Sequence, residues 1–515
     1  MDKKPNVIYI LADDMGYGDI SALNENCGFQ TPNFDRMAAE GEAFTDAHAS
    51  SAVCTPSRYS IMTGRYNWRS RLKWGVISSY GRPMIEKDRM TVAQMLKGAG
   101  YYTAAIGKWH LGMDFKKTDA FAPGNDFEHC DFENQEGIDF AGKIENTPTS
   151  YGFDYYYGIA ASLDMPPFAF IENDHFTEMP DHQTVGYGKQ FWRAGPTAPH
   201  FVHEEVLPHF TDKVIEQIET CAQTPEQPFF IYFPMPAPHT PILPTEEFRG
   251  RSGTNEYGDF VLECDAMVGR IMDKVQELGL DEDTIIIYTS DNGCSPRADF
   301  QELLAKGHNP SYVFRGHKYH IFEGGHRIPL LVRWPGNIKP GTVCNQIVCL
   351  SDLMATLAEL LDIQLPDSAG VDSISNLPIW KDPNAPEVRE NIVHQGWDGT
   401  LSIRKGDYKL EMCLEGTGGD RNHPGPRDTY LSPNGRLPAM ERAEAPAPKA
   451  RYQLYDLRND VGEYVNIIDE HPDIAEALKR ELVTCVRNGR TTAGAVQENT
   501  GDPVWETIQW IVDEP

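Results

Sequence analysis

The sequence predicts an α/β fold, a mostly parallel sheet sandwiched by helices with a smaller α+β C-terminal domain. Short apolar runs rich in β-branched and aromatic residues alternate with longer segments of helical period, the rhythm of a parallel, doubly wound sheet. Those runs are apolar at successive positions, as expected of strands buried on both faces. The chain has 515 residues, 40% of them apolar, enough for one large domain and a smaller one.

The predicted strands are Val7–Ala12, Tyr102–Ile106, Phe229–Phe233, Ile285–Thr289 and Pro329–Val332. The helices between and beyond them are Asn33–Glu40, Val92–Lys97, Thr211–Cys221, Phe260–Leu278 and Leu353–Leu361. Lys116–Thr149 and Glu172–Pro199, rich in Gly, Pro, Asp and His, predict excursions over one rim of the sheet. A Pro-, Asp- and Ser-rich stretch, Leu365–Pro386, predicts a linker between a large domain (1–375) and a C-terminal subdomain (385–515). In the latter, Leu401–Ile403 and Tyr408–Met412 flank a Lys-Gly-Asp turn and predict a hairpin. A Pro- and Gly-rich excursion, Gly416–Lys449, and a final helix, Pro472–Val486, follow.

Charge narrows the function classes. Lys and Arg total 46 against 76 Asp and Glu, a formal charge of −30, which repels nucleic acids and anionic membrane surfaces. No run approaches the roughly 20 apolar residues of a membrane span. Val7–Ala12 is too short for a signal-peptide core. The ten cysteines are scattered without a C-x-x-C pair, as in a reduced protein. The sequence as it stands therefore predicts a cytoplasmic protein; a removed signal peptide would make it periplasmic or secreted.

Ligands of open parallel sheets bind beyond the carboxyl ends of the strands. Four predicted strands end in polar clusters: Asp13-Asp14, then Gly107-Lys108-Trp109-His110, then Pro238-His239-Thr240, then Ser290-Asp291-Asn292-Gly293. Turn chemistry alone explains one or two such endings, not four. Asp13, Asp14, Asp291 and Asn292 offer only oxygen donors, which suit a hard cation such as Ca²⁺ or Mg²⁺. Adjacent carboxylates repel, and holding them ionised at a buried edge requires a cation if the two strands are neighbours.

In Cys54-Thr55-Pro56-Ser57-Arg58, Pro56 predicts the first turn of a helix with Cys54 at or just before its N-terminus. Such a position lowers a thiol pKa, so the residues alone allow a nucleophilic Cys with Arg58 one turn on, or a buried Cys acting as a small hydrophobe.

Cys-x-Pro-Ser-Arg followed by Thr63-Gly64-Arg65 resembles the motif of the type I, formylglycine-dependent sulfatases. The resemblance extends in order through Pro5-Asn6-Val7 and Asp13-Asp14, Gly16-Tyr17-Gly18-Asp19, Thr31-Pro32-Asn33, Lys108-Trp109-His110, Ser290-Asp291-Asn292-Gly293, and Lys318 with Glu323-Gly324-Gly325. It covers most of residues 5–365, and Leu454–Leu457 with Glu463 and Asn466 resembles the family's C-terminal segment. Within the family the layout is most similar to arylsulfatase A and N-acetylgalactosamine-6-sulfatase relatives.

The resemblance implies an alkaline-phosphatase-like fold and a Cys54 oxidised to formylglycine by a maturation enzyme. Its hydrate would attack the ester sulfur, and the second hydroxyl would allow expulsion of sulfate from the sulfo-enzyme. It further implies Asp13, Asp14, Asp291 and Asn292 as ligands of Ca²⁺, with Mg²⁺ as the alternative. Arg58, Lys108 and Lys318 become the cations around sulfate, His110 the base of sulfate expulsion, and His239 the acid at the leaving oxygen. Asp164, His175, His308 and Arg315 are the candidates for contact with the rest of the substrate, while Tyr155-Tyr156-Tyr157 reads as core packing rather than a saccharide platform.

The expected partner is a small anionic sulfate ester, a saccharide in preference to an aryl sulfate. The alternatives are a phosphonate monoester or phosphodiester hydrolase sharing the same cassette, and an unmodified, non-catalytic sulfoglycan-binding protein. A small cationic pocket within a repulsive exterior favours exo-action on short fragments. The sequence carries no indication of oligomeric state.

Overall fold

The computed structural model describes residues 3–120, 137–413 and 452–514. The sheet strands are β1 (Asn6–Asp13), β2 (Glu42–Phe44), β3 (Tyr102–Lys108), β4 (Tyr155–Ile159), β5 (Ile171–Glu172), β6 (His175–Phe176), β7 (Phe229–Pro238), β8 (Thr284–Ser290), β9 (Leu330–Arg333) and β10 (Thr342–Cys344). They form one ten-stranded sheet in the order β10-β2-β9-β8-β1-β7-β3-β4-β5-β6. β8, β1, β7, β3 and β4 run parallel, with Ile8 opposite Ile231 and Ile286.

The pleat sends alternate residues to opposite faces. Val7, Tyr9 and Leu11 join a core with Ile285 and Ile287, whereas Ile8, Ile10 and Ala12 join a second with Ile286 and Tyr288. Helices α2 (Cys54–Thr63), α3 (Val92–Gly98) and α6 (Leu353–Leu360) cover the first face; α1 (Pro32–Glu40), α4 (Val206–Cys221) and α5 (Glu256–Glu277) cover the second. Apolar runs buried from both sides are the physical reason the sequence shows no strand alternation here.

A four-stranded antiparallel sheet follows: β11 (Asn391–Gln395), β12 (Leu401–Lys405), β13 (Tyr408–Glu411) and β14 (Gln453–Asp456), packed against α7 (Pro472–Arg487). Its core takes in Tyr66 and Trp68 from the segment after α2, so the two sheets share apolar burial.

Three expectations need correction. The strand predicted at Pro329–Val332 is present as β9, but it pairs antiparallel with both β8 and β2. The stretch predicted as a linker is packed: it holds a short helix, Leu377–Lys381, and buries Val371 and Asp372. Arg69 makes a bidentate pair with Asp372 at 2.8 and 2.9 Å, which anchors that stretch. Glu172–Pro199 is not only loop, because it contributes β5 (from Ile171), β6 and a small two-stranded sheet. Gly416–Lys449 lies outside the described residues, as do residues 121–136 of the other predicted excursion. The nine described cysteines are free thiols, and no described helix is long and apolar enough to cross a membrane.

Candidate active site

Parallel β1, β3, β7 and β8 end on one side of the sheet, so the polar residues after their apolar runs converge. Cys54 opens α2, whose residues are all buried, and Gly64 closes it in the left-handed region (φ 61°), its N–H donating to the Ser60 carbonyl. Arg58, one turn in, donates through Nε and Nη2 to Asp291 Oδ2 at 3.0 and 2.8 Å, and through Nη1 to the Lys108 carbonyl at 2.9 Å. Lys108 Nζ donates to both Asp13 oxygens at 3.0 and 2.8 Å. Lys318 Nζ donates to Asp14 at 2.8 Å, and Asn292 Nδ2 to the other Asp14 oxygen at 2.7 Å.

These groups are almost fully withdrawn from water, which sharpens every charge effect. Burial pushes the Asp291 carboxyl up to about 6, with Arg58 opposing and the neighbouring Asp13 and Asp14 carboxylates adding to the rise. Asp13 moves the other way: burial would raise it, but Lys108, His239, Arg58 and Lys318 together hold it well below the usual range. Burial also pushes the Cys54 thiol up, against the pull of Lys108 and Lys318. The expected depression by the helix N-terminus is therefore absent, because desolvation of the thiolate outweighs it. An unmodified Cys54 is a protonated, weak nucleophile.

The residues fit a cation. Cys54 Sγ and carboxylate oxygens of Asp13 and Asp291 lie within 4.8 Å of one another, and so do ligand atoms of Asp13, Asp14 and His239. The Asn292 amide oxygen, buried in the same cluster, meets no donor. An orphaned oxygen beside three carboxylates is the donor set of a hard divalent ion. Asp14 sits at φ 68°, a backbone cost borne where its carboxylate enters the cluster.

Both histidines have an assigned face. His110 Nε2 lies 2.9 Å from the Ile77 carbonyl, so Nε2 carries the proton and Nδ1 is a bare acceptor, buried and unpartnered. Burial lowers its pKa well below the ordinary value, and Lys108 and Arg58 add to the effect, which keeps it neutral. His239 donates from Nδ1 to the Thr240 carbonyl at 2.6 Å, which turns Nε2 toward Asp14 Oδ2 at 3.5 Å.

The four substrate-contact candidates separate. Asp164 is buried near the cluster: its carboxyl is held down, against burial, by Arg193, His239 and Lys108. One carboxylate oxygen pairs with Arg193 and the other is unpartnered. Sequence reasoning missed Arg193, which carries no motif and lies 29 residues from its partner. The other three sit elsewhere. His175 is exposed on the outermost strand, β6, bonded to Asp174 at 2.7 Å. His308 is fully buried, its Nε2 2.8 Å from Asp19, its ring against Phe29. Arg315 reaches toward the C-terminal sheet, donating to the Glu463 carbonyl at 2.8 Å and lying over the Phe322 ring. Tyr155–Tyr157 belong to β4, with Tyr156 buried, as packing predicts.

A second polar cluster, His48, His326 and His394, lies between the two sheets. The His326 and His394 rings are stacked at 3.7 Å and 13°, His48 Nδ1 lies 3.0 Å from His326 Nδ1, and ligand atoms of the three lie within 4.8 Å of one another. Lys409 Nζ, 3.1 Å from His326 Nε2 and 2.7 Å from Glu463, places a positive charge beside this cluster.

A family model described as Sulfatase matches residues 5–363. N-acetylgalactosamine-6-O-sulfatase of Bacteroides thetaiotaomicron is 34% identical over 527 residues, covering 94% of this chain and 93% of that protein. Arylsulfatase A of Homo sapiens is 29% identical over 521 residues, covering 97% and 91%. A solved structure from the metabolism of multiple glycosaminoglycans by Bacteroides thetaiotaomicron superposes with a TM-score of 0.76 at 31% identity, covering 94% of this chain and 99% of that one. With the family model spanning this cluster of strand ends, the chain belongs to the sulfatase family and is a sulfuric ester hydrolase.

Proposed function

We propose that the protein removes sulfate from a sulfated mono- or oligosaccharide by exo-action, with Cys54 acting as formylglycine and Asp13, Asp14, Asp291 and Asn292 holding Ca²⁺ or Mg²⁺. The observation that carries this reading is the meeting of Cys54, three carboxylates and three cationic side chains at the ends of four parallel strands. A 34% identical relative named for N-acetylgalactosamine 6-sulfate supports that sugar as the first substrate to test. Residues 1–375 supply the chemistry and 385–515 the flanking subdomain.

A formylglycine hydrate at Cys54 would supply a nucleophile able to release sulfate later, and a cation held by Asp13, Asp14, Asp291 and Asn292 would supply Lewis-acid polarisation. The rest is performed by the chain's own residues. Arg58 locks Asp291 and Lys108 locks Asp13, so the charges are fixed before substrate arrives and need no reorganisation. Lys108 and Lys318 place positive charge beside Cys54 and face the sulfate. His110 Nδ1 accepts the proton of the spare hydroxyl, and His239 Nε2 delivers one to the leaving oxygen. Asp164 and Arg193 face the sugar.

Two measurements test the reading. Mass spectrometry of the tryptic peptide containing Cys54, from the native host, is expected to show the loss of about 18 Da that marks conversion of thiol to aldehyde; unmodified cysteine there supports a non-catalytic glycan binder. Turnover of p-nitrophenyl sulfate is expected to exceed that of a phosphonate monoester, and the reverse, by about a thousandfold or ~4 kcal/mol, assigns the phosphonate chemistry instead.

A further inference from the structure

The sequence's conspicuous aromatic triplet is spent on the core, yet a different set of rings stands at the candidate site. Val53 and Cys54 belong to a small apolar cluster with Val76, Ala161 and Met165, and the half-buried rings of Tyr319 and Trp397 pack against it. Trp397 meets Tyr319 edge-on at 5.3 Å between centroids, and Trp74 meets Trp397 edge-on at 6.5 Å. Trp74 is 37% exposed, a large ring kept partly in water. The three aromatics therefore form a chain of edge-on contacts from the apolar cluster that includes Cys54 to a ring partly in water.

These rings are held rigidly to the catalytic residues by main-chain hydrogen bonds between segments remote in sequence. Tyr319 N donates to the Ala52 carbonyl at 2.9 Å, Trp397 N to the Tyr319 carbonyl at 3.0 Å, and Gly75 N to the Trp397 carbonyl at 2.7 Å. Ala52 is two residues from Cys54, and Tyr319 follows Lys318 directly. The segment carrying Trp74 also carries Ile77, whose carbonyl fixes the tautomer of His110. Trp397 comes from the turn between β11 and β12, so the C-terminal sheet contributes directly to the wall of a site built on the other sheet.

We propose that Trp74 and Trp397 form a stacking subsite for a pyranose ring of the sulfated saccharide, with Tyr319 closing its inner end. The inference rests on the saccharide reading above and adds to it the residues that select the alcohol portion. A pyranose has an apolar face of axial C–H groups and a polar rim. Rings that are flat, partly exposed and prevented from collapsing suit the former. The anion itself gains nothing from them: sulfate is left to Lys108, Lys318 and the proposed cation. Recognition is thus divided, with the cationic pocket reading the sulfate and the aromatic wall reading the sugar. Stiff side chains with only two rotatable bonds lose little entropy on binding, which favours Trp for such a role.

The test measures kcat and KM separately on N-acetylgalactosamine 6-sulfate and on a 6-sulfated disaccharide, for matured wild-type enzyme, Trp397→Ala, Trp74→Ala and Trp397→Phe. Conversion of Cys54 and the thermal midpoint are checked for each variant, and Trp397→Phe keeps the test open should Trp397→Ala not fold. The expected result is a KM raised about tenfold or more in the alanine variants with kcat within about threefold of wild type, and a smaller rise in Trp397→Phe. Saccharide KM values unchanged in Trp74→Ala and Trp397→Phe, with wild type active on the sugars, overturn the subsite alone. Wild-type enzyme that cleaves p-nitrophenyl sulfate but neither saccharide overturns the saccharide reading and the subsite with it.

Discussion

Asn292 carries the residue-scale argument for the proposed cation. Its amide nitrogen donates to Asp14, while the oxygen of the same amide is buried and without a donor. Leaving such an oxygen unsatisfied costs about 1–3 kcal/mol, a penalty that a bound cation would remove together with the Asp13 and Asp14 repulsion that adds to the burial-driven rise of Asp291. Prolonged dialysis against a chelator is therefore expected to abolish turnover and lower the thermal midpoint. Adding Ca²⁺ or Mg²⁺ at about a hundredfold over its dissociation constant restores about 2.7 kcal/mol of stability. A midpoint indifferent to chelator and to both ions, measured by calorimetry, removes the cation from the site. That Asp13, Asp14, Asp291 and Asn292 come together was legible in the sequence, because Asp-Asp and Asp-Asn each follow an apolar run. The pairing of each carboxylate with its own cation was not, because Arg58 and Asp291 are 233 residues apart.

At the scale of elements, β13 carries a buried cation that ties the C-terminal sheet to the segment before β9. Lys409 Nζ sits in a fully buried nest with Glu463 at 2.7 Å, Glu323 at 3.2 Å and Glu411 at 3.3 Å. Burial alone would lower its pKa, but Glu463, Glu323 and Glu411 outweigh burial and raise it, so the ammonium stays charged. Lys409→Met leaves three carboxylates facing one another and is expected to cost about 3–5 kcal/mol in urea unfolding, against less than about 0.5 kcal/mol for the partly exposed Lys405→Met. β2 carries a second buried charge with the opposite consequence. Both Glu42 carboxylate oxygens lack partners, and burial pushes its pKa up to about 8. The native state thus keeps a proton that the unfolded chain releases above about 4.5, so the associated stability is present below that pH and is lost as pH rises through 8. Unfolding free energy is expected to fall by up to about 1.4 kcal/mol per pH unit across that window from this group, and Glu42→Gln should flatten the slope. Elements such as β1 and β8 were legible because burial on both faces writes a continuous apolar run. The direction of β9 was not, since an apolar run carries no sign of parallel or antiparallel pairing. β4 was masked by its tyrosines and glycine. The packed stretch at 365–386 was mistaken for a linker because its composition is that of one, while the partner that anchors Asp372, Arg69, lies 303 residues away.

For the whole molecule the question is where the −30 charge resides. The six ions of the site cancel, Arg58, Lys108 and Lys318 against Asp13, Asp14 and Asp291, so the excess of acid belongs to the remainder of the chain. Arg315, which could have extended the cationic pocket outward, is instead engaged with Glu463 and Phe322. The local and global fields then act on different substrates. A short fragment places its one sulfate among the site cations and leaves little charge elsewhere. A long, densely sulfated chain must also lay many anions along a negative surface, at a cost that extends over the Debye length, about 30 Å at 0.01 M salt and about 8 Å at 0.15 M. Raising ionic strength from 0.01 to 0.15 M is therefore expected to increase kcat/KM on a long sulfated glycan several-fold while changing that on a disaccharide much less. Both are measured as sulfate released, with chain-end concentration held equal. The ratio of the two rates is the diagnostic, because salt effects on the chemical step divide out of it. A ratio near one at low salt would place the acidic surface away from the path of the substrate and remove the argument for exo-action on short chains.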